Sequence, residues 1–289
     1  MYQLFVDSDC DISKKLADEY GAKFISMPYL EDNKEIFPYE TWEEFDSHAF
    51  YEKLRKGELA TTFALNSENY KAIFEPTFKE GKDILYAHFS AAMTCTFDNM
   101  HIAIKELLEK YPERKFYEID AKGITIGAFS IVREIMKMYK AGKSIEEIKA
   151  WAEVEVDKYA VYFFADNLKF FKRSGRVSGF SAIMGNLIGI KPIIYMNSEG
   201  KMVSIGKAKG RANAIKEIFK YVDELQEDLK NHPVVIASAD NQELIDQVDK
   251  LLKEKYGNDL DITYVQVNPT AGAHCGPDTV GISFHAKHR

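Results

Sequence analysis

Short apolar runs alternate with longer stretches of helical periodicity along this chain, which predicts strands and helices in turn. Residues 3–6 are an apolar run, DSDCDIS follows as a loop, and residues 14–20 carry a helical pattern with Ser13 placed to cap its first turn. Gly21 closes that helix, residues 23–29 form the next extended run, and Asp32-Asn33 signals a turn after it. A strand–helix–strand opening of this kind predicts parallel strands.

The alternation continues. Residues 45–56, 67–78 and 98–110 read as helices, and residues 83–89 and 115–119 as strands. A helix over 129–141 ends at Gly142, and Ser144 opens the next one, 144–158, with Glu147 three residues on completing a capping box.

After about residue 160 the pattern changes, and we place a domain boundary there. An aromatic run at 161–164 is followed by the basic, glycine-containing loop KRSGRVSG, the apolar LIGIKPIIYM and a turn at 197–200. Residues 201–207 then read as an antiparallel partner of 192–196, followed by a helix at 211–228, a strand at 234–239, a helix at 242–256 and a strand at 262–267. The expected organisation is an α/β protein of two domains, residues 1–160 and residues 161–289, the second smaller and partly antiparallel.

Composition narrows the functional classes. With 46% hydrophobic and 29% charged residues the chain has ample material for a packed core. A formal charge of -7 gives no electrostatic reason to bind nucleic acid or anionic lipid surfaces. The opening MYQLFVDSDCD meets Asp7 and Asp9 too early for a signal peptide, and no apolar run has membrane length, so the expectation is a cytoplasmic protein without stable membrane insertion. Cys10, Cys95 and Cys275 are odd in number and lack CxxC spacing, which suits free thiols.

Candidate chemistry sits in loops at strand ends, where open α/β sheets bind ligands. Thr61 and Thr62 stand before a helix, as ligand hydroxyls or as caps. The segment from His88 to Thr96 leaves a strand and enters a helix, so Thr94 and the helix N-terminus suit an anion, with an ordinary cap as the alternative. In NPTAGAHCGPDTVG, read as a loop over 268–281, Gly272, Gly276 and Pro277 fix the path around His274 and Cys275. There the imidazole can donate to an anion or act as a base, or stand in a structural turn. The basic run from Lys172 to Arg176 is a phosphate cradle, a docking surface or a solvated turn. Neither a P-loop nor a dinucleotide fingerprint is present, GxSxG is missing, and adjacent His274 and Cys275 side chains point apart, which is poor geometry for a nucleophile and its base. Asp7, Asp9 and Asp11 lack an EF-hand's glycine and distal glutamate and read as capping and turn-making carboxylates, so no metal is expected.

In order along nearly the whole chain, these segments resemble the DegV family of bacterial fatty-acid-binding proteins. VDSDCDIS resembles the family's DS-x-x-D-L start, Thr62 stands at the threonine of its TSxP motif, and the run from Met93 to Phe97 resembles LSGTY. Residues 168–178 resemble L-x-x-L-K-x-G-G-R-I-S, residues 190–193 are IKPI, and AHCGPDTVGI resembles HTGPGAxGL. Departures are Phe63 for serine, Leu65 for proline, Ala91 and Cys95 for serine and glycine, Ser174 for glycine and Asp278 for glycine.

The resemblance implies a two-domain α/β fold, with a mostly parallel N-terminal sheet flanked by helices on both faces, a smaller C-terminal domain with a mixed sheet, and a ligand tunnel between them. It implies a carrier rather than an enzyme, with no catalytic residue and no cofactor. The carboxylate of a long-chain fatty acid such as palmitate would be held by Thr62, Thr94 and His274, with Arg176 contributing. An acyl kinase partner, serving phospholipid synthesis, would dock near Arg173 and Arg211. The competing reading is an acyl ester or thioester hydrolase using Cys275 or a threonine with His274, and a third is a pure protein-interaction module.

Overall fold

The computed structural model describes residues 1–38, 46–179 and 189–289. Its strands run β1 (Tyr2–Asp7), β2 (Lys23–Ile25), β3 (Tyr29–Glu31), β4 (Lys34–Ile36), β5 (Thr61–Thr62), β6 (Asp83–His88) and β7 (Phe116–Asp120). They continue with β8 (Tyr159–Phe164), β9 (Val177–Ser178), β10 (Ile190–Met196), β11 (Met202–Lys209), β12 (Val234–Ser238), β13 (Ile262–Gln266) and β14 (Val280–His285).

Among the described residues these strands make three sheets. The first, in order β2-β1-β6-β7, is parallel throughout, as strand–helix alternation dictates. The second, in order β13-β12-β14-β8-β10-β11-β9, is mixed and has more strands than the first. A small antiparallel sheet, β4-β3-β5, sets Thr62 opposite Tyr29.

Side chains alternate across the second sheet, and each set serves a different layer. Val234, Ile236, Tyr162 and Phe164 pack in one cluster with Ile215, Phe219 and Leu244 from the helices Arg211–Leu225 and Gln242–Tyr256. Val235, Ala237 and Val161 face the opposite way, into the cluster that holds Leu4, Val6 and Leu85 of the first sheet. The helix Ile126–Lys140 lies between the sheets, touching β1 and β6 on one side and β8, β12 and β14 on the other. Both β12 and β14 are buried along their whole length; β12 is mostly apolar, while in β14 the buried Ser283 and His285 are met by Ser130 Oγ at 3.0 Å and Glu155 Oε2 at 3.1 Å.

Several expectations hold closely. The capping box at Ser144 is present in full, β10 and β11 pair antiparallel with a bulge between Ile193 and Ile194, and the helix Gln242–Tyr256 has the expected ends. Others shift. The helix expected from 98 starts at Thr96 and the one expected from 129 starts at Ile126, because a short 3-10 turn and the kinked peptide at Thr125, whose φ is 51°, carry the chain into the helix sooner than the periodicity shows. The helix expected over 45–56 is Ser47–Arg55, and residue 45 lies outside the described residues, as do the first two residues of LIGIKPIIYM.

Two corrections concern the candidate loops. Thr61 and Thr62 do not cap the next helix: that cap is Asn66, whose side chain accepts from Asn69 N in a complete capping box. Residues 268–281 are not one loop, since Pro269–Cys275 is a helix and Val280 begins β14. Asn268 accepts from Ala271 N and Pro269 sits in the first turn, so the Asn-Pro pair that opens the segment read as a loop is an N-cap followed by the residue best suited to the first helical position.

Candidate functional site

Two short elements from distant parts of the sequence meet at one spot. The edge strand β5 presents Thr62, the helix Pro269–Cys275 presents His274 from its last turn, and Thr62 Oγ1 lies 2.9 Å from His274 Nε2. Arg173 holds the two segments in register, its Nη2 donating to the Ala60 carbonyl at 2.6 Å and to the Ala273 carbonyl at 3.2 Å. On the other side of the spot, Ala91–Met93 forms a 3-10 turn after β6, and Thr94 follows it in extended conformation, with its hydroxyl accepting from Thr96 N at 3.1 Å. Cys95 makes no side-chain cap, so at the start of the helix Thr96–Lys110 it is the Thr94 hydroxyl that meets a backbone N–H.

These residues open onto a cavity of about 240 Å³. Thr62, Thr94, His274 and Arg176 all line it. Its remaining wall is mainly apolar, with Phe163, Met196 and Met202 from the second sheet, Phe89 and Met93 from the segment after β6, and Phe171 from the helix Leu168–Ser174. Phe63 lines it as well, whereas Asp278 is turned away, bound by Arg55 at 3.0 Å, Asn241 at 2.7 Å and Arg211 at 3.4 Å. Outside, Thr94, Cys95, Arg176, Ser178 and Lys201 line a shallower surface depression.

The electrostatics suit an anion. Burial, then the Arg176 and Arg173 guanidinium groups, pull the His274 pKa down to about 4, so the imidazole is neutral near pH 7 and carries one N–H. Arg176 is exposed, and its Nη1 donates to the Ser174 carbonyl at 2.6 Å. Arg211 lies away from the cavity, with its Nε on Asp166 Oδ1 at 2.8 Å. Cys275 is buried, and burial pushes its thiol up to about 12 while Sγ faces the Gly276 carbonyl at 3.5 Å. It is neither a thiolate nor paired with His274.

The carboxylates read as turn-makers divide in their roles. Asp7 caps the 3-10 turn Ser8–Cys10, accepting from Asp9 N and Cys10 N. Asp11, with φ 53°, receives both Asn268 N at 2.9 Å and Asn268 Nδ2 at 2.7 Å, anchoring the helix that carries His274. Asp9 does neither, and lines the cavity. That role and the clip made by Arg173 escape a sequence reading; the available signal was three acids at two-residue spacing directly after a buried strand. His48, Glu52 and Asp240 bring ligand atoms within 4.8 Å of one another, but the Arg55 guanidinium already joins Glu52 to Asp240, so the charge there is met by a cation of the chain.

The family model described as "Uncharacterised protein, DegV family" matches residues 1–287. A DegV domain-containing protein of Clostridium perfringens is 33% identical over 284 residues, covering 98% of this chain and 97% of that protein. One from Streptococcus pyogenes serotype M3 is 26% identical over 283 residues, covering 97% and 96%. Among solved structures, a DegV family protein from Thermus thermophilus described for its fatty acid binding superposes with a TM-score of 0.85 at 22% identity, covering 99% of each chain. A stearic acid-binding protein from Eubacterium ventriosum superposes with a TM-score of 0.84 at 19% identity, again covering 99% of each.

Proposed function

The chain belongs to the DegV family, and from that membership we propose that it carries one long-chain fatty acid in the cytoplasm and presents the carboxylate to an acyl kinase partner. The observation that carries this reading is the pairing of Thr62 with His274 at a polar end of a mainly apolar cavity. The Thr62–His274 bond uses one of that pair's two protons, and the proton that remains, with the Thr94 hydroxyl, can bind a carboxylate without burying a full counter-charge. Arg176, at the exposed edge, supplies long-range attraction. The acyl tail would then run between the N-terminal unit, 1–160, and the C-terminal unit, 161–289.

Burying an acyl chain of about sixteen carbons at ~0.8 kcal/mol per CH₂ offers roughly 12 kcal/mol before ordering costs, enough to retain a lipid through purification. The depression outside the mouth, with Arg176 and Lys201, gives a partner access to the headgroup, and Arg173 and Arg211 are the candidate docking positions. The solved neighbour from Eubacterium ventriosum, described as binding stearic acid, supports the ligand class.

A hydrolase acting through Cys275 is disfavoured by the buried, protonated thiol. Native mass spectrometry of the freshly purified protein, with denaturing extraction of any released molecule, tests the carrier reading. A fatty acid at one per chain is the expected result. A protein that stays empty and fails to take up added fatty acid, or that turns over an acyl thioester through Thr62 and His274, overturns it.

A further inference from the structure

One polar group inside the cavity has no part in holding the headgroup. Asp9 lines the cavity wall and is only 3% exposed, and its Oδ1 has no hydrogen-bond partner among the described residues. Its main chain is fixed, because the Asp9 carbonyl accepts from Thr125 N at 2.8 Å. Thr270 is a polar side chain that meets Asp9, and its hydroxyl donates to the Met27 carbonyl at 3.2 Å.

Burial first, then the neighbouring charges of Asp7 and Asp11, hold the Asp9 pKa well above the usual carboxylate range. Both causes favour the neutral carboxylic acid, which has an O–H to donate and a carbonyl oxygen to accept. Among the described residues Oδ1 of that carboxyl group is left unsatisfied. Leaving a buried acceptor unpaired is costly, and native proteins rarely do it without a reason. Rotation about the Asp Cβ–Cγ bond, which is soft, brings either oxygen toward the cavity.

We propose that Asp9 is a second, interior polar subsite of this cavity, which accepts the hydroxyl of a hydroxylated acyl chain. This rests on the fatty-acid reading and adds a selectivity to it. A hydroxyl that comes to rest against the apolar stretches of the wall loses its hydrogen bonds to water. At the depth of Asp9 it donates to the free carbonyl oxygen. The headgroup residues set where the carboxylate sits, so the distance from them to Asp9 selects one position along the chain.

The test is calorimetric titration of the protein with stearate and with a positional series of monohydroxystearates. The expected result is one isomer that binds as tightly as stearate or tighter, the rest binding about tenfold more weakly or worse. In Asp9→Leu that one isomer drops to the level of the others while stearate is unchanged, and in Asp9→Asn, which keeps a carbonyl oxygen, its preference survives. Equal loss at every hydroxyl position overturns the proposal, and that comparison needs only the wild-type chain. A favoured isomer indifferent to Asp9→Leu overturns it too, as does a stearate affinity that falls along with it, which would make Asp9 part of the headgroup site. Stearate bound normally with no favoured isomer sinks this subsite alone, whereas failure to bind any member of the series sinks the fatty-acid reading with it.

Discussion

Thr62 Oγ1 and His274 Nε2 stand 2.9 Å apart although 212 positions separate them in sequence. Neither residue has a capping or core duty of its own, so the pair works as one polar unit facing the cavity. Removing one member leaves the other unpaired, and the two deletions should not add. Thr62→Val and His274→Gln should each weaken fatty-acid binding about tenfold or more, the scale of a hydrogen bond to a charged group at ~1.5–3 kcal/mol. The double variant should be little worse than the worse single one. Calorimetry on the four proteins measures the coupling, and strictly additive losses would show that the residues bind the ligand independently.

The neutral His274 imidazole gives a stability signature. Its folded pKa is about 4 against an ordinary value of 6.5, with burial as the first cause and the Arg176 and Arg173 charges after it. Between those values the unfolded chain takes up a proton that the folded chain refuses, so stability is present above the upper value and lost as pH falls toward the lower one. His274→Leu lacks this dependence. Urea unfolding of the empty proteins at a series of pH values in that window should show the wild-type advantage shrinking as pH falls, and parallel curves would contradict a buried neutral imidazole.

Arg173 joins the Ala60 and Ala273 carbonyls, one residue or two before the paired side chains. Arg173→Met should therefore loosen the site even without a partner present, lowering fatty-acid affinity about tenfold for two hydrogen bonds of ~1 kcal/mol each, part of which water restores. An unchanged affinity would leave docking as its sole duty.

The elements were legible where a local rule dominates. The capping box at Ser144 and the apolar periodicity of Gln242–Tyr256 read directly, as did the antiparallel β10–β11 pair across its Asn197–Gly200 turn. The helix Pro269–Cys275 did not, because Asn268-Pro269 and two nearby glycines carry the same letters whether they make a turn or a capped short helix. The convergence of Thr62, Thr94, His274 and Arg176 on one cavity was expected only through the family resemblance, since contacts between segments hundreds of residues apart leave no local pattern. Asp9 was grouped with two carboxylates of similar spacing, and only tertiary packing separates the cap, the anchor and the cavity group.

Arg211 holds Asp166 at 2.8 Å and approaches Asp278 at 3.4 Å, away from the cavity lining. Reversing its charge would gather three carboxylates and damage the fold, so the informative change is Arg211→Gln. If Arg211 belongs to the docking face, the glutamine variant keeps its fatty-acid affinity and loses acyl-phosphate production with an acyl kinase. Equal loss of both would mean that the substitution acts through the cavity instead.

Gly276 is the one position beside His274 and Cys275 where backbone and packing make the same demand. Its φ is 73°, in the left-handed region, and a Cβ there would fall 2.2 Å from Phe170 Cδ2. Phe170 is buried in the helix Leu168–Ser174, which packs on the helix Pro269–Cys275, so the ring cannot swing clear without moving the segment that bears Arg173. Gly276→Ala should thus combine the penalty of a positive φ with overpacking, together about 3 kcal/mol. Thermal unfolding measures that loss, and calorimetry on the folded fraction should show weaker fatty-acid binding as the His274 helix is displaced. A variant with wild-type stability would mean that the ring and helix yield freely, and that the spacing between His274 and Thr62 is not fixed by this contact.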